Sequence, residues 1–417
     1  MDALVISRVV YQRLIELSSA PPPRMRAWTG EEWGPADSDA TMVLQHPGAL
    51  RAMLLPPSDL SAGEAYIYDD VDIEGNIFTV LGFAAGLDRG RRGRFAMLRL
   101  GRLLRKLPAE SRRNAARRPR MKGLLHSLQR DRAAVTHHYD TGNDFFAQFL
   151  GPSMVYSSAY FLDPFEPLDK AQHRKLDVVC RKLGLESGDR MLDIGSGWGG
   201  LVLHAAVEYG VEATGVTLSG EQAAYARERA RELGVENRVT IIQGDYREIE
   251  GRFDAIASVG MFEHVGRKRL GEYFERLRAL LEPGGLLLNH GIVTRDRSRR
   301  GRGSTFVGTY VFPDGELEPI DFVIGKAEGA GFELRDAESL RAHYALTLHA
   351  WVANLEANRV EAIAATNQVV YRIWRSYMAG AAVAFETSAL SVFQMLLADP
   401  PCPTTFGRQS LLATDDS

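Results

Sequence analysis

Between residues 133 and 400 the hydrophobic pattern alternates between two rhythms. Short, mostly apolar runs at 190–194 (RMLDI), 212–216, 239–243, 253–258 and 286–289 read as buried strands, since strands covered on both faces lose the in–out alternation. Between them, 201–209, the stretch opened by Ser219 with Glu221 in its first turn, and 270–281 carry helical spacing, the last ending at Pro283-Gly284-Gly285. Strands alternating with helices predict an α/β fold: a doubly wound parallel sheet with its ligand crevice at the carboxyl ends of the strands. The first 88 residues follow another pattern, strand-like at 40–44 and helical at 47–55 and 76–87, broken at Pro21–Pro23 and Pro56–Pro57. They predict a smaller α+β domain at 1–88. The expected order is then a basic segment at 89–132, the α/β domain at 133–400 and a disordered tail at 401–417.

Composition narrows the class. Two cysteines, Cys180 and Cys402, leave no disulfide framework and no zinc spacing,. The opening MDALVISRVVYQRLIEL lacks a basic stretch ahead of its apolar residues and is not read as a secretory signal,. The longest nearly uncharged runs, 80–87 and 378–385, fall far short of the ~20 apolar residues of a membrane span. A cytoplasmic protein is expected.

Charge is uneven. Sixteen basic residues and two acids lie between Arg89 and Arg132, so this segment carries +14 in a chain whose formal net charge is −3. Phe95, Leu98, Leu103, Leu104 and Leu107 recur through it at helical spacing. Such a stretch suits an anionic lipid surface, a nucleic-acid backbone or a solvated linker.

Residues 192–200 read LDIGSGWGG, where Gly195, Gly197 and Gly199 let the backbone pass close to a ligand at a helix N-terminus. Alone, this turn leaves any doubly wound nucleotide binder open. Asp193 stands two residues before the first glycine, near enough for a cationic ligand. The second strand ends in Thr217-Leu218 and lacks the acid that holds a nicotinamide cofactor's ribose. With Phe253-Asp254 and Pro283-Gly284-Gly285, this order resembles a Rossmann-like class I methyltransferase dependent on S-adenosylmethionine (SAM).

Further motifs make the resemblance specific: HYDTGNDFF (138–146), VYSSAYF (155–161), GVTLS (215–219), VGMFEHVG (259–266), NHGI (289–292), YVFPDG (310–315) and YALTLHAW (344–351). Together they resemble the cyclopropane-fatty-acyl-phospholipid synthase family, which includes mycolic-acid cyclopropane synthases and fatty-acyl methyltransferases. The resemblance implies methyl transfer from SAM to the double bond of an unsaturated acyl chain in phospholipid. A carbocation deprotonated by bound bicarbonate then gives a cyclopropane or a methylene branch.

The resemblance places Glu263, His290, Tyr344, Ser158 and the backbone of Ile292 around bicarbonate, with Ser158 standing where many relatives have cysteine. It places Tyr156, Ser157, Gly195, Gly197, Gly199, Thr217, Leu218, Gln222, Gly244 and Asp245 on the cofactor. Gln222 takes the ribose hydroxyls, Asp245 the adenine amino group, and Tyr246 stacks. His138, Tyr310 and Phe312 are expected at the substrate, and no metal is expected. The partners expected are phospholipid acyl chains at an anionic inner-membrane surface, a reductase downstream of a methylene product, and a second copy of the chain in a homodimer; nucleic acid is not. Cys180, His264, Trp198 and the run Phe145, Phe146 and Phe149 are read as packing. The alternatives are a SAM-dependent methyltransferase of another small molecule and, in another class, a nucleic-acid-binding protein using the basic segment.

Overall fold

A computed structural model describes residues 2–88, 90–113, 142–295 and 305–402. They fall into two compact units, neither continuous in sequence: Met1–Arg120 with Arg302–Pro313 and Arg359–Val383, and Met121–Gly301 with Asp314–Asn358 and Ala384–Ser417.

The first unit has a small sheet of β1 (Arg24–Arg26), β2 (Glu32–Trp33), β3 (Ala40–Leu44) and β4 (Val71–Gly75), in the order β2-β1-β3-β4. The alternating burial of β3 covers one face with the core residues Ala40, Met42 and Leu44,. Ile6, Val10 and Leu14 of the helix Ala3–Leu17 pack there, as do Leu50 and Phe83. The basic segment contributes as well. Its helix Arg91–Leu104 buries Leu100 and Leu104, and Leu107 follows them into the same core. Residues 114–132 of that segment lie outside the described residues.

In the first unit the later chain stretches supply partners for acids of the N-terminal block. Tyr310 Oη donates to Glu64 at 2.9 Å. Arg372 donates to Tyr66 O and to Asp69 (2.9 and 3.0 Å), and pairs with Asp72 at 3.0 Å. Arg375 donates to the Tyr66 hydroxyl at 2.9 Å. Asp70, fully buried, accepts from His46 Nε2 (2.9 Å), Ser111 Oγ (2.8 Å) and the Arg112 N–H (2.5 Å).

The second unit carries a seven-stranded sheet in the order β10-β11-β9-β8-β5-β6-β7. Its strands are β5 (Arg190–Ile194), β6 (Glu212–Thr217), β7 (Val239–Gln243), β8 (Phe253–Val259), β9 (Leu281–Thr294), β10 (Glu333–Ser339) and β11 (Leu390–Ala398). β5 through β9 pair in parallel, and β10 and β11 pair antiparallel at one edge. The pleat sends Met191 into one core and Leu192 and Ile194 into the other,. Cys180 sits in the first of these, and burial pushes its thiol up to about 12, which leaves it inert,.

All five strands read from the pattern are present, but β9 is longer. Pro283-Gly284-Gly285 lies inside it as an irregularity, with Gly284 at φ +84° and a register shift against β8; glycine lets a strand bulge without ending it. The 201–209 helix is α-helical over Gly200–His204 and widens into a π turn over Ala205–Tyr209. No helix among the described residues is long and apolar enough to cross a membrane.

Candidate functional site

The crevice lies where the chain turns to opposite sides of β5, between β6 and β8, the topological switch point of an α/β sheet. The N–H groups of Gly195 and Ser196 both donate to Val216 O at 2.9 Å, tying the turn across to β6. Gly195 and Gly199 adopt φ +81° and +86°. A side chain at 199 would also lie 2.8 Å from the Ala226 methyl, so only glycine lets the helix Gly220–Glu232 close on the turn,.

Gln222 is buried in the first turn of that helix, its N–H capped by Ser219. Its Oε1 accepts from Thr217 Oγ at 2.7 Å, which leaves the Nε2 donor buried without a partner. Ser196 Oγ and Asp193 Oδ1 are likewise buried and unpartnered. Burial raises Asp193 to about 7, with the Lys175 ammonium pulling the other way. A donor, a hydroxyl and an acceptor left unsatisfied around one glycine turn are costly unless a polar ligand meets them. They fit SAM, whose ribose and amino-acid groups supply the complementary atoms. Leu218 is half-buried beside them, and the Gly244 N–H donates to Thr217 O at 3.0 Å.

Asp245, expected at the adenine amino group, already engages a protein partner. Its carboxylate caps the Arg247 N–H at 3.0 Å and binds the Arg247 guanidinium through two contacts of 2.7 Å. Tyr246 lies under that guanidinium, 5.5 Å from ring centre to Cζ.

A second constellation lies just beyond β8. Glu263 is buried, its Oε1 accepts the Ile292 N–H at 2.7 Å, and Oε2 has no partner. Burial pushes this carboxyl up to about 7, against the pull of the Ile292 N–H,. A side chain at Gly291 would strike the Phe262 ring and lie 2.9 Å from Glu263 Oε2, so glycine there makes room for the carboxylate. His290 precedes it on β9 and is held in register by the Gly260 N–H on its carbonyl at 2.8 Å. Its Nδ1 is buried and unpartnered, and burial together with the charges of Lys175 and Lys182 pulls the ring down to about 3. His290 is therefore a neutral imidazole at any physiological pH.

Two expected members of the anion cage are already engaged. The Ile292 N–H holds Glu263, and the Ser158 hydroxyl donates to Ala159 O at 3.1 Å. The Ala159 N–H in turn donates to Thr347 Oγ at 3.0 Å, one helical turn beyond Tyr344. Tyr344 packs against Phe385 and Trp351, at 4.8 and 6.0 Å between ring centres. Trp351 stacks on Tyr156 at 5.2 Å and meets Phe149 at 6.0 Å, and Phe146 lies 4.9 Å from Trp198. These rings form one aromatic wall running from Tyr156 to Tyr344. Trp198 donates to Asn143 Oδ1 at 2.7 Å, as a packing residue would.

Tyr310 and Phe312 belong to the first unit, where Tyr310 bonds Glu64 and Phe312 meets the Tyr377 ring at 5.5 Å. His138 lies outside the described residues. Lys175 was not singled out from the sequence, although a signal existed. It falls on the buried stripe of the helix Leu168–Lys182, with Ala171, Leu176 and Val179, where a charge is unexpected. Gly291 and Trp351 were quoted only as letters of their motifs; their roles depend on which side chains cross over them.

Comparison with known proteins gives the family and the fold. The mycolic acid cyclopropane synthetase family profile matches residues 126–395. A probable fatty acid methyltransferase of Pseudomonas putida is 37% identical over 384 residues, 91% of this chain and 92% of that protein. A probable fatty acid methyltransferase of Mycobacterium tuberculosis is 33% identical over 408 residues, 94% and 95% of the two chains. The solved cyclopropane synthase MmaA2 of M. tuberculosis superposes with a TM-score of 0.62 at 34% identity, covering 66% of this chain and 100% of that one. The mycolic acid cyclopropane synthase CmaA1 complexed with SAH and CTAB superposes at 0.61 and 33% identity, covering 64% and 98%. With its glycine turn, a buried Gln222 whose Nε2 donor is unmet, and a buried Glu263 and His290, the chain belongs to the mycolic acid cyclopropane synthetase family and is a class I SAM-dependent C-methyltransferase.

Proposed function

We propose that this enzyme methylates the double bond of an unsaturated fatty acyl chain esterified in phospholipid, giving a cyclopropane or a methylene-branched chain. The observation that carries this reading is a buried, half-satisfied acid, Glu263, held by the Ile292 N–H two residues along β9 from the neutral, buried His290. An alkene is a weak nucleophile and reacts only with a strong electrophile in a dry site. SAM, when bound, supplies that electrophile: the alkene π pair forms the new C–C bond as the methyl–sulfur bond breaks toward sulfur.

The acyl chain is left with a carbocation. Aromatic faces such as Tyr344 stabilise a cation by about 0.5–2 kcal/mol each. Loss of a proton from the new methyl with ring closure gives the cyclopropane; a hydride shift before proton loss gives the methylene branch.

Bicarbonate, when bound, supplies the base for that proton. Glu263 Oε2, His290 and Tyr344 are the groups that would hold it, and the unpartnered Oε2 and Nδ1 atoms fit such an anion. A Glu263 raised to about 7 retains its proton part of the time near neutrality, which limits repulsion between two facing anions,. The names of the relatives, fatty acid methyltransferase and cyclopropane synthase, support an acyl substrate. The test is mass spectrometry and proton NMR of lipids from cells expressing the protein, fed oleate and methyl-labelled methionine. Label with upfield ring protons gives the cyclopropane product, and label with vinyl protons gives the methylene branch and a need for a downstream reductase. No label in any lipid overturns the acyl substrate.

The substrate must be reached in a bilayer, and the helix Arg91–Leu104 supports docking on anionic lipid. Opposite its buried face, Phe95 and Leu98 are 66% and 70% exposed. Around them Arg94, Arg99, Arg102, Arg105 and Lys106 are exposed, and none forms an ion pair among the described residues. Apolar side chains ringed by unpaired cations suit a headgroup interface, at about 1 kcal/mol per basic residue. Vesicle sedimentation should show binding to anionic lipid that weakens with salt and with Phe95→Ser/Leu98→Ser. Equal binding to neutral vesicles overturns the docking role, and an absorbance ratio raised toward 260 nm by co-purified nucleic acid points to the other polyanion.

A further inference from the structure

Lys175 is 2% exposed on the helix Leu168–Lys182, and its Nζ donates to Ser157 Oγ at 3.0 Å. Among the described residues this is its one hydrogen bond, and it forms no ion pair. Burial pulls the ammonium down to about 8 while Asp193 opposes that fall, so Lys175 is a cation at neutral pH. A buried cation with no carboxylate at ion-pair distance is costly and persists where something offsets the cost.

The same helix holds the Ser157 segment at a second point. Gln172 Nε2, one turn earlier, donates to Ser157 O at 2.9 Å. Because an ammonium can only donate, it occupies a lone pair of Ser157 Oγ and leaves the serine proton for another acceptor. No protein group among the described residues accepts that proton. A positive charge and a spare O–H at one point describe an anion subsite. Asp193, whose charge couples to Lys175 and whose Oδ1 has no partner, is its acidic counterpart at the end of β5. An acid and a base so placed match the ammonium and carboxylate of an α-amino acid.

We propose that Lys175, acting through Ser157, anchors the α-carboxylate of the SAM methionyl group. Lys175 is thus a positioning residue; this rests on the SAM reading of the crevice and adds the group that recognises one end of the cofactor.

Isothermal titration of wild type and Lys175→Met tests it with three probes: S-adenosylhomocysteine, its decarboxylated analogue, and 5′-methylthioadenosine, which lacks the whole amino-acid end. Lys175→Met should weaken S-adenosylhomocysteine by about 10–100-fold, the worth of a hydrogen bond to a charged group. The other two probes should change by less than about 3-fold, and KM for SAM should rise with kcat nearly unchanged. Equal weakening of all three probes, or none, overturns the anchor. Ser157→Ala covers the case where Lys175→Met fails to fold; it should show the same selectivity for the carboxylate, and a uniform loss there also overturns the proposal. Wild type that binds S-adenosylhomocysteine no better than its decarboxylated analogue overturns the anchor alone. Wild type that binds none of the three overturns the cofactor reading with it.

Discussion

Both units bury ionisable side chains, but they treat them differently. In the first unit Asp70 accepts three hydrogen bonds, Glu64 accepts one from Tyr310, and Arg372 and Arg375 meet acids, carbonyls and a hydroxyl. In the second unit Glu263, Asp193, Gln222 and His290 each keep a buried atom with no partner, and Lys175 has only a serine. Burial alone does not separate a structural charge from a working one. A cluster of incompletely satisfied groups does, because unmet buried polar atoms gathered at one crevice are costly unless a ligand meets them, whereas an isolated one such as Ser7 Oγ is not a site,.

Breaking the second unit's charges should cost activity, and breaking the first unit's should cost stability. The largest effect is expected from Glu263→Gln, which should lower kcat by about 10³-fold, in the range of a lost proton-transfer or oxyanion-type group. S-adenosylhomocysteine affinity should stay within about 3-fold. Calorimetric titration alongside single-turnover assays checks this, and lost cofactor binding would move Glu263 out of the reaction site. Next, Asp70→Ala should lower unfolding free energy by about 3–5 kcal/mol, as when a buried partner is removed, while cofactor affinity of the folded protein is unchanged. Urea denaturation followed by titration separates the two. Gln222→Leu should weaken S-adenosylhomocysteine by about 10-fold through loss of one hydrogen bond with little change in unfolding free energy.

The smallest effect sharpens the comparison through pH. Burial raises Glu263 from 4.5 to about 7, so between those values the folded protein holds a proton that the open chain has lost. Stability therefore falls as pH rises through that window. Glu263→Gln removes this loss, so its Tm should gain on wild type from pH 4.5 to about 7, by roughly a few degrees, and hold constant above. His290, lowered from 6.5 to about 3, acts in the opposite sense in both proteins and cancels in the difference. A gap that stays flat or narrows between pH 4.5 and about 7 would show that the fold does not hold a proton on Glu263,.

The parts of this protein that were legible in its sequence are those whose signals are local. β5 to β8 are short, mostly apolar runs closed by turns, and the glycine turn needs positive φ at named positions. Family motifs carried Glu263, His290 and Tyr344, and the profile match over 126–395 bears out the expected family and fold. β10 (ELRDAES) is mostly polar and only partly covered, so it gave no periodic signal, and β11 is an apolar run that could equally be helix,. The capture of Asp245 by Arg247 and of the Ile292 N–H by Glu263 are side-chain choices with no repeat to read. The union of three chain stretches in the first unit depends on non-local pairings.

That union has a consequence for how the protein is made. The first unit's 1–120 stretch comes well ahead along the chain of Tyr310, Arg372 and Arg375, which lie on stretches ending at Val383. At ~5–20 residues per second, synthesis needs on the order of 15–50 s after residue 113 to deliver them. Throughout that interval Glu64 lacks Tyr310, and Asp69 and Asp72 lack Arg372, although Arg112 can already meet Asp69. The N-terminal block is thus begun first and finished late, and as a gene fragment it cannot be cut out, swapped or fused elsewhere with its charges still satisfied.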